Sequence, residues 1–382
     1  MPYQIRCESY VPAPEPVHSD YLIGCHYFPG WKPGAHQGFA AIHDFPERTP
    51  LIGYYDESLP EVTDWEIKWA VEHGIGCFIY CWYRNNDNVG KPVTRADLRL
   101  PHAIYEGLYR ARYKDKIRFA IMWEAGNCGE AKDADDLCRH LLPFWAEEYF
   151  SQPNYLKFGN KPVLFVYDYD LKVLNAFGSP EKTREALERC SEEARQYGFD
   201  GIHFQVEYRY DDPALLQKHR DSGYAQTFAY CWHTRQQFPT QQEMIGEQMR
   251  LMAIRLAFDP YFTMLTCSQG WDPYPWKKTD AERAACSRWK LTPANWRLLL
   301  ERVKGLADSM PRDSVGSRFI MLDNWNEWSE GHYLAPHLSG GFQYLQAVRE
   351  VFTHRDNLPD YRLPEAVGLG PYDTGIPKPP AR

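Results

Sequence analysis

The strongest constraint on this chain is a rhythm that begins at Tyr21. Short apolar runs, rich in β-branched and aromatic residues, alternate with longer amphipathic stretches. The short runs fall at 21–26, 76–82, 119–123, 163–167, 201–205, 225–230, 262–266 and 319–323. Each has the length and composition of a buried parallel strand. Helical periodicity occupies 61–73, 100–112, 134–150, 179–197, 240–257 and 292–309, and 341–353 closes the pattern. Ser179-Pro180 and Thr292-Pro293 are N-caps followed by a first-turn proline, and Gly74 and Gly198 stop their helices. Eight strands alternating with helices predict an α/β fold: a single (β/α)8 TIM barrel with long βα loops, spanning 21–357. A doubly wound sheet is the rival, but no glycine-rich phosphate fingerprint follows the first strand. The weakest member is 225–230, which follows the fifth strand by only about twenty residues. Residues 1–20 read as a proline-rich arm, and 358–382 as an irregular Pro/Gly-rich tail.

Composition removes several function classes. A hydrophobic fraction of 44% is too high for a disordered chain. A net charge of −8 argues against nucleic-acid binding, whose footprint is a basic stripe. No apolar run approaches the roughly 20 residues of a membrane helix. The first twenty residues carry no apolar leader core, so the expected location is cytoplasmic, or periplasmic or secreted if a leader has been trimmed. Ten scattered cysteines, several inside strands, read as buried reduced thiols. Cys77 and Cys81 have no CxxC or His pair beside them, and no metal or cofactor is expected.

In such a barrel the C-terminal strand ends form the active face. They carry His26-Tyr27-Phe28, Trp82-Tyr83-Arg84, Trp123-Glu124, Tyr167-Asp168-Tyr169, Gln205-Val206-Glu207, Cys231-Trp232-His233, Trp271-Asp272 and Trp325-Asn326-Glu327. Ordinary loops would show Gly, Ser, Asn and Lys instead. Flat rings beside carboxylates and amides suit a sugar: rings cover its C–H face, and polar groups bind its hydroxyls. Taken singly, each ring could as well cap the barrel core; eight together point to an oligo- or polysaccharide. The candidate binding residues are His26, Tyr27, Asp56, Trp82, Trp123, Glu124, Tyr167, Gln205, Glu207, Trp232, Trp271, Asp272, Trp325, Asn326 and His332. Asp56 serves equally well as a turn cap. Phe78, Tyr80 and Trp82 share one face, either into the barrel or out at the helices.

Glu327 and Glu330 follow the eighth strand three residues apart, so a helical turn would put both on one face. Glycoside hydrolysis needs two carboxyl groups with different proton affinities, which unequal burial and mutual repulsion can supply. Glu124 and Glu207 are the alternative if the pair comes from different strands.

These residues also carry a family resemblance. Asn326-Glu327-Trp328-Ser329-Glu330-Gly331, Met122-Trp123-Glu124, Gly270-Trp271-Asp272, Gly159-Asn160-Lys161-Pro162, the segment from Pro50 to Asp56 and the segment from Trp65 to Trp82 resemble the WbsX-like group related to glycoside hydrolase family 99, the endo-α-mannosidase type. The resemblance implies Glu327 as base and Glu330 as general acid/base. It implies attack by the sugar 2-hydroxyl on C1, giving a 1,2-anhydro intermediate with overall retention. Two departures point away from the family's mannan. Leu334-Ala335-Pro336 stands where relatives have Leu-Glu-Pro, with His332 or His337 as replacements for the missing carboxylate. Pro273-Tyr274-Pro275-Trp276 stands where relatives tend to have an arginine. Three other functions fit the same residues: a glycosyltransferase of polysaccharide synthesis, a conventional double-displacement glycosidase, and a non-catalytic carbohydrate-binding barrel.

Overall fold

The computed structural model describes residues 7–375, apart from Gln37, Asn127, Tyr169, Asp170 and Arg235. Tyr169 and the end of the tail therefore lie outside the described residues. Eight parallel strands form the barrel wall: β1 (Leu22–Tyr27), β2 (Ile75–Arg84), β3 (Arg118–Trp123), β4 (Lys161–Val166), β5 (His203–Glu207), β6 (Gln226–Phe228), β7 (Leu265–Cys267) and β8 (Phe319–Asn324). Hydrogen-bonded neighbours run β6-β5-β4-β3-β2-β1-β8-β7. The remaining gap is closed by a parallel bridge between Thr227 and Thr263. Short β6 and β7 leave this seam with few ladder bonds, and a buried cation stitches it. Arg255 donates to the carbonyls of Thr227 and Met264 and to the Thr227 hydroxyl.

The longer helices are α1 (Pro60–Glu72), α2 (Pro180–Glu193), α3 (Pro213–Asp221), α4 (Gln241–Phe258), α5 (Pro293–Ser309) and α6 (Gln343–Phe352). Ser179 and Thr292 cap α2 and α5 as expected. Two helical stretches are less regular than periodicity suggests. Residues 134–150 contain two wide turns, Leu137–Leu141 and Ala146–Phe150, on either side of Pro143, which has no N–H to donate. The 100–112 stretch reduces to Ala103–Gly107 and Leu108–Arg110. Helix α3 fills the short gap between β5 and β6, where no helix was expected.

The barrel interior is aromatic. His26, Phe165, Phe228 and Tyr230 meet in one layer, with ring centroids 4.8–6.4 Å apart. Phe319 needs the room left by Gly24, where an added Cβ would lie 2.7 Å from the ring. The arm is not detached: the Tyr10 hydroxyl donates to Asp64 of α1 at 2.6 Å, and Val11 is buried. The described tail also packs, with Trp65 Nε1 donating to the Tyr372 hydroxyl at 3.1 Å. Nine cysteines are buried, Cys7 is exposed, and all ten are free thiols. Among the described residues no helix is long and apolar enough to cross a membrane.

Candidate active site

Strand parity decides which residues reach the barrel mouth. Successive side chains alternate between the barrel interior and the helix layer. On β1, His26 points in and Tyr27 points out; the Tyr27 hydroxyl donates to Glu66 of α1 at 2.8 Å. On β2, Trp82 points out, its Nε1 donating to the Tyr149 hydroxyl at 3.0 Å, so Tyr83 takes the inner position. Trp123 donates to the Gly129 carbonyl at 3.0 Å and packs on Trp145. Trp232 donates to the Thr266 carbonyl at 2.9 Å, and Trp325 to Glu66 at 3.0 Å. Tyr27, Trp82, Trp123, Trp232 and Trp325, all expected at the ligand, are buried away from the mouth.

A cavity of about 290 Å³ opens at the C-terminal strand ends. Glu327, Glu330, Glu124, Tyr167 and Trp271 line it, together with Phe28, His36, Tyr83, Arg209, Tyr230, Trp276 and Ser329. The lining residues missing from the expected set carried a readable signal. Phe28 lies two residues beyond His26, Tyr83 one beyond Trp82, and Arg209 two beyond Glu207. A larger cleft of about 640 Å³ lies at the opposite end, lined by Leu22, Ile75, Gly76 and Arg118 among others. It sits at the N-terminal strand ends, the face that stabilises barrels.

Several other expected contacts are structural. Asp56 caps its own turn, accepting from the Ser58 amide at 2.9 Å and hydroxyl at 2.6 Å. Asn326 accepts from the Phe28 amide at 2.8 Å, tying the first and last loops together. Gln205 is buried inside the barrel, below the mouth. His26 is fully buried, and desolvation pushes its imidazole down to about 3. Glu207 pairs with Arg209 at 2.5 Å, and Arg209 also donates to the Tyr167 hydroxyl at 2.8 Å. The cavity's arginine is thus already committed to a carboxylate. Asp272 is held by Arg48 at 2.8 Å and by Arg288 at 2.9 Å. Ala335 is buried with its amide on the Trp325 carbonyl, so its position does not face the cavity. His337 is buried among Trp328, Tyr333 and Tyr344.

The loop after β8 is pinned from several sides. Asn326 and Glu327 pair antiparallel with Tyr333 and His332. The turn between them passes through Gly331 at φ +75°, a left-handed conformation, and an added Cβ there would meet Asp272 at 2.8 Å. Arg48, itself buried, donates to the carbonyls of Trp328 and Ser329 at 2.9 and 3.2 Å.

The two carboxylates have unequal surroundings. Glu327 is 4% exposed and accepts from the Ser329 hydroxyl at 2.9 Å. Burial, then the charge of Glu330, push its carboxyl well above the ordinary range, while His332 and Ser329 pull the other way. Glu330 lies 3.0 Å from His332 Nε2, and His332 Nδ1 lies 2.7 Å from Asp323. His332 is fully buried. Burial works against its charge, yet Asp323 holds the imidazole well above the usual histidine range. Cys231, Asp323 and His332 bring ligand atoms within 4.8 Å of one another, a donor set that could hold a cation. Both histidine nitrogens already face carboxylates, which accounts for the cluster without one.

A parallel eight-stranded barrel with helices outside it and acidic residues gathered at its C-terminal mouth is a TIM barrel, a fold that carries its active sites at that face. The chain belongs to the family described as glycosyltransferase WbsX, which matches residues 35–348. It is 25% identical over 338 residues to the uncharacterized protein WxcX of Xanthomonas campestris pv. campestris, covering 81% of this chain and 44% of that protein. The chain thus spans less than half the length of the curated relatives it matches. Among solved structures it resembles the GH99 endo-alpha-mannosidase from Bacteroides thetaiotaomicron, with TM-score 0.56 and 15% identity over 87% of this chain and 96% of that one. It also resembles a glycoside hydrolase-like protein, with TM-score 0.61 and 14% identity over 90% and 98% of the two chains. At these identities the likeness is one of fold.

Proposed function

We propose that this chain is a retaining glycoside hydrolase that cleaves an α-linked glycan with Glu327 and Glu330. The observation that carries the reading is the meeting of both carboxylates in one ring-lined cavity of about 290 Å³ at the catalytic face of the barrel. Glu327 acts as base on the sugar 2-hydroxyl, whose oxygen attacks C1. A carboxylate buried as Glu327 is has its proton affinity raised, which makes it a stronger base once ionised. Glu330 is partly exposed and nearer the solvent. It protonates the departing oxygen, then takes a proton from the water that attacks C1 and opens the anhydro ring, while Glu327 returns its proton to the 2-oxygen. Tyr83, Tyr167, Tyr230 and Trp271 supply the flat surfaces against which the sugar rests.

The test is a panel of α-glycosides offered to the wild type and to Glu327→Gln and Glu330→Gln, with products read by chromatography. Cleavage by the wild type and loss in both variants supports the pair. No cleavage of any α-glycoside refutes it, and glycan binding without turnover would leave a binding barrel. A 2-deoxy substrate cleaved at the normal rate would move the nucleophile's role to Glu124, the third carboxylate in the cavity. The family's description favours a second reading, in which the same pair passes the sugar to an acceptor hydroxyl rather than to water. A nucleotide-sugar donor consumed to give an elongated glycan would establish that reading.

A further inference from the structure

The cavity wall holds three carboxylates, Glu124, Glu327 and Glu330, and one guanidinium, Arg209, which already pairs with Glu207. Like charges gathered in a partly dry cavity repel strongly unless a counter-charge is built in. The Asp323–His332–Glu330 chain places an imidazole there, bonded on both nitrogens to carboxylates at 2.7 and 3.0 Å. Asp323 is fixed in turn, accepting from the Gln269 amide at 2.8 Å and bonding Gly270 at 3.4 Å. The histidine ring is wedged between Tyr230 and Trp271, with centroids at 5.5 and 5.3 Å, so it has no freedom to turn toward a ligand.

We propose that Asp323 and His332 form a positioning dyad, in which His332 is held as an imidazolium that orients Glu330 and supplies the counter-charge of the carboxylate cluster. This rests on the reading of Glu327 and Glu330 as the acid/base pair. His332 thereby leaves the set of ligand-contacting residues: it touches Glu330 rather than sugar. Its charge also acts on Glu327, whose proton affinity it lowers, so that the buried base can ionise. The ionisable groups around the ring are Asp323, Glu330, Glu327, Cys231, Tyr230, His26 and His233. Of these, His26 and His233 are kept neutral by burial, and Asp323, with Cys231 beside it, is the group that favours the charged ring.

The dyad can be tested without any ligand. In ¹⁵N-histidine-labelled protein, the His332 resonances are those missing from His332→Gln. If that variant does not fold, they are assigned through contacts to the Tyr230 and Trp271 rings. The expected wild-type result is an imidazole protonated on both nitrogens at pH 7, with Asp323→Asn lowering the pH at which it titrates. A neutral His332 at pH 7, or one indifferent to Asp323→Asn, overturns the proposal. The second arm uses whichever α-glycoside the wild type cleaves best. His332→Gln keeps a neutral hydrogen-bond donor and removes the charge. The acid limb of its pH–rate profile should then move up by about one unit or more, because the base loses a nearby cation. A merely structural role would lower activity equally at every pH. If no glycoside is cleaved, the functional reading falls, while the resonance titration still decides the dyad.

Discussion

Replacing Arg48 by Met tests whether the acidic loop is held by one buried cation. Arg48 is 3% exposed and, besides a longer 3.7 Å ion pair with Glu47, makes four close polar contacts: Trp328 O at 2.9 Å, Ser329 O at 3.2 Å, Asp272 O at 3.0 Å and the Asp272 carboxylate at 2.8 Å. Methionine approximates the stem and removes all four. Breaking a fully buried ion pair costs about 3–5 kcal/mol. Here Asp272 is 20% exposed and keeps Arg288, so the loss is nearer 2–3 kcal/mol. A chain of this length loses ~0.8 kcal/mol per degree near its midpoint, which puts the fall in Tm at about 3 °C. The larger effect belongs to the site, because Trp328 and Ser329 lie between the two glutamates. Turnover should fall by about 10²-fold with the fold retained, since misplacement of about 1 Å costs that much. Thermal melts, circular dichroism and product chromatography on Arg48→Met measure both. Full turnover in a folded variant refutes the clamp. A collapse of stability far beyond 3 kcal/mol would show that Arg48 holds up the core rather than the loop.

Three further outcomes follow from the packing. Gly24→Ala forces a methyl group to within 2.7 Å of the Phe319 ring and 3.0 Å of Ile79 and Met321, and should cost about 1–3 kcal/mol in urea melts. Trp82→Phe removes a buried hydrogen bond and should lower Tm while leaving glycan affinity unchanged, whereas Tyr83→Ala should weaken binding; titration calorimetry separates the two. Burial raises Glu66 from 4.5 to about 8, so the native state binds its proton more tightly than the unfolded chain does. That stabilisation is present below pH 4.5 and is lost as pH rises through about 8. Wild-type stability should therefore drop between pH 5 and 8 by on the order of a few kcal/mol more than that of Glu66→Gln.

The barrel was readable because each strand is buried on both faces and is punctuated by capped helices; the Ser179 and Thr292 caps fall where the sequence puts them. The site was readable to the level of loops and not of side chains. Glu327, Glu330, Glu124, Tyr167 and Trp271 do line the cavity. Trp82, Trp123, Trp232 and Trp325 looked like sugar platforms because an apolar ring at a strand end is ambiguous. The inner and outer faces of a barrel wall are both dry, so hydrophobicity cannot tell one from the other. Strand boundaries shift the ends further: the fifth strand runs to Glu207 rather than 205, which carries Arg209 into the cavity. Long-range ion pairs were invisible for another reason. Arg48 and Asp272 are separated by more than two hundred residues, and only the closed barrel brings them together.

The same closure changes what the motif's departures mean. The missing glutamate at 335 reads from sequence as a lost subsite, but the position is buried behind Trp325. What bears on the two glutamates is instead the residue just after the second one's glycine. His332 turns inward because its strand pairs with Glu327, and the pairing is antiparallel, so the two side chains belong to adjacent backbones at one level. A four-residue turn thus delivers the proposed base, acid and counter-charge from six consecutive positions, 327–332. Only Asp323 comes from the strand itself, and it faces the histidine because β8 ends with that side chain turned toward β7, where the Gln269 amide fixes it. The protonation of the site is therefore set mainly within one β-turn segment and one strand end, with Glu124 and Cys231 contributing from two other loops. Substitutions in the remaining strand-end loops that spare Glu124, Cys231 and Gln269 should alter which sugar fits while leaving the pH profile in place.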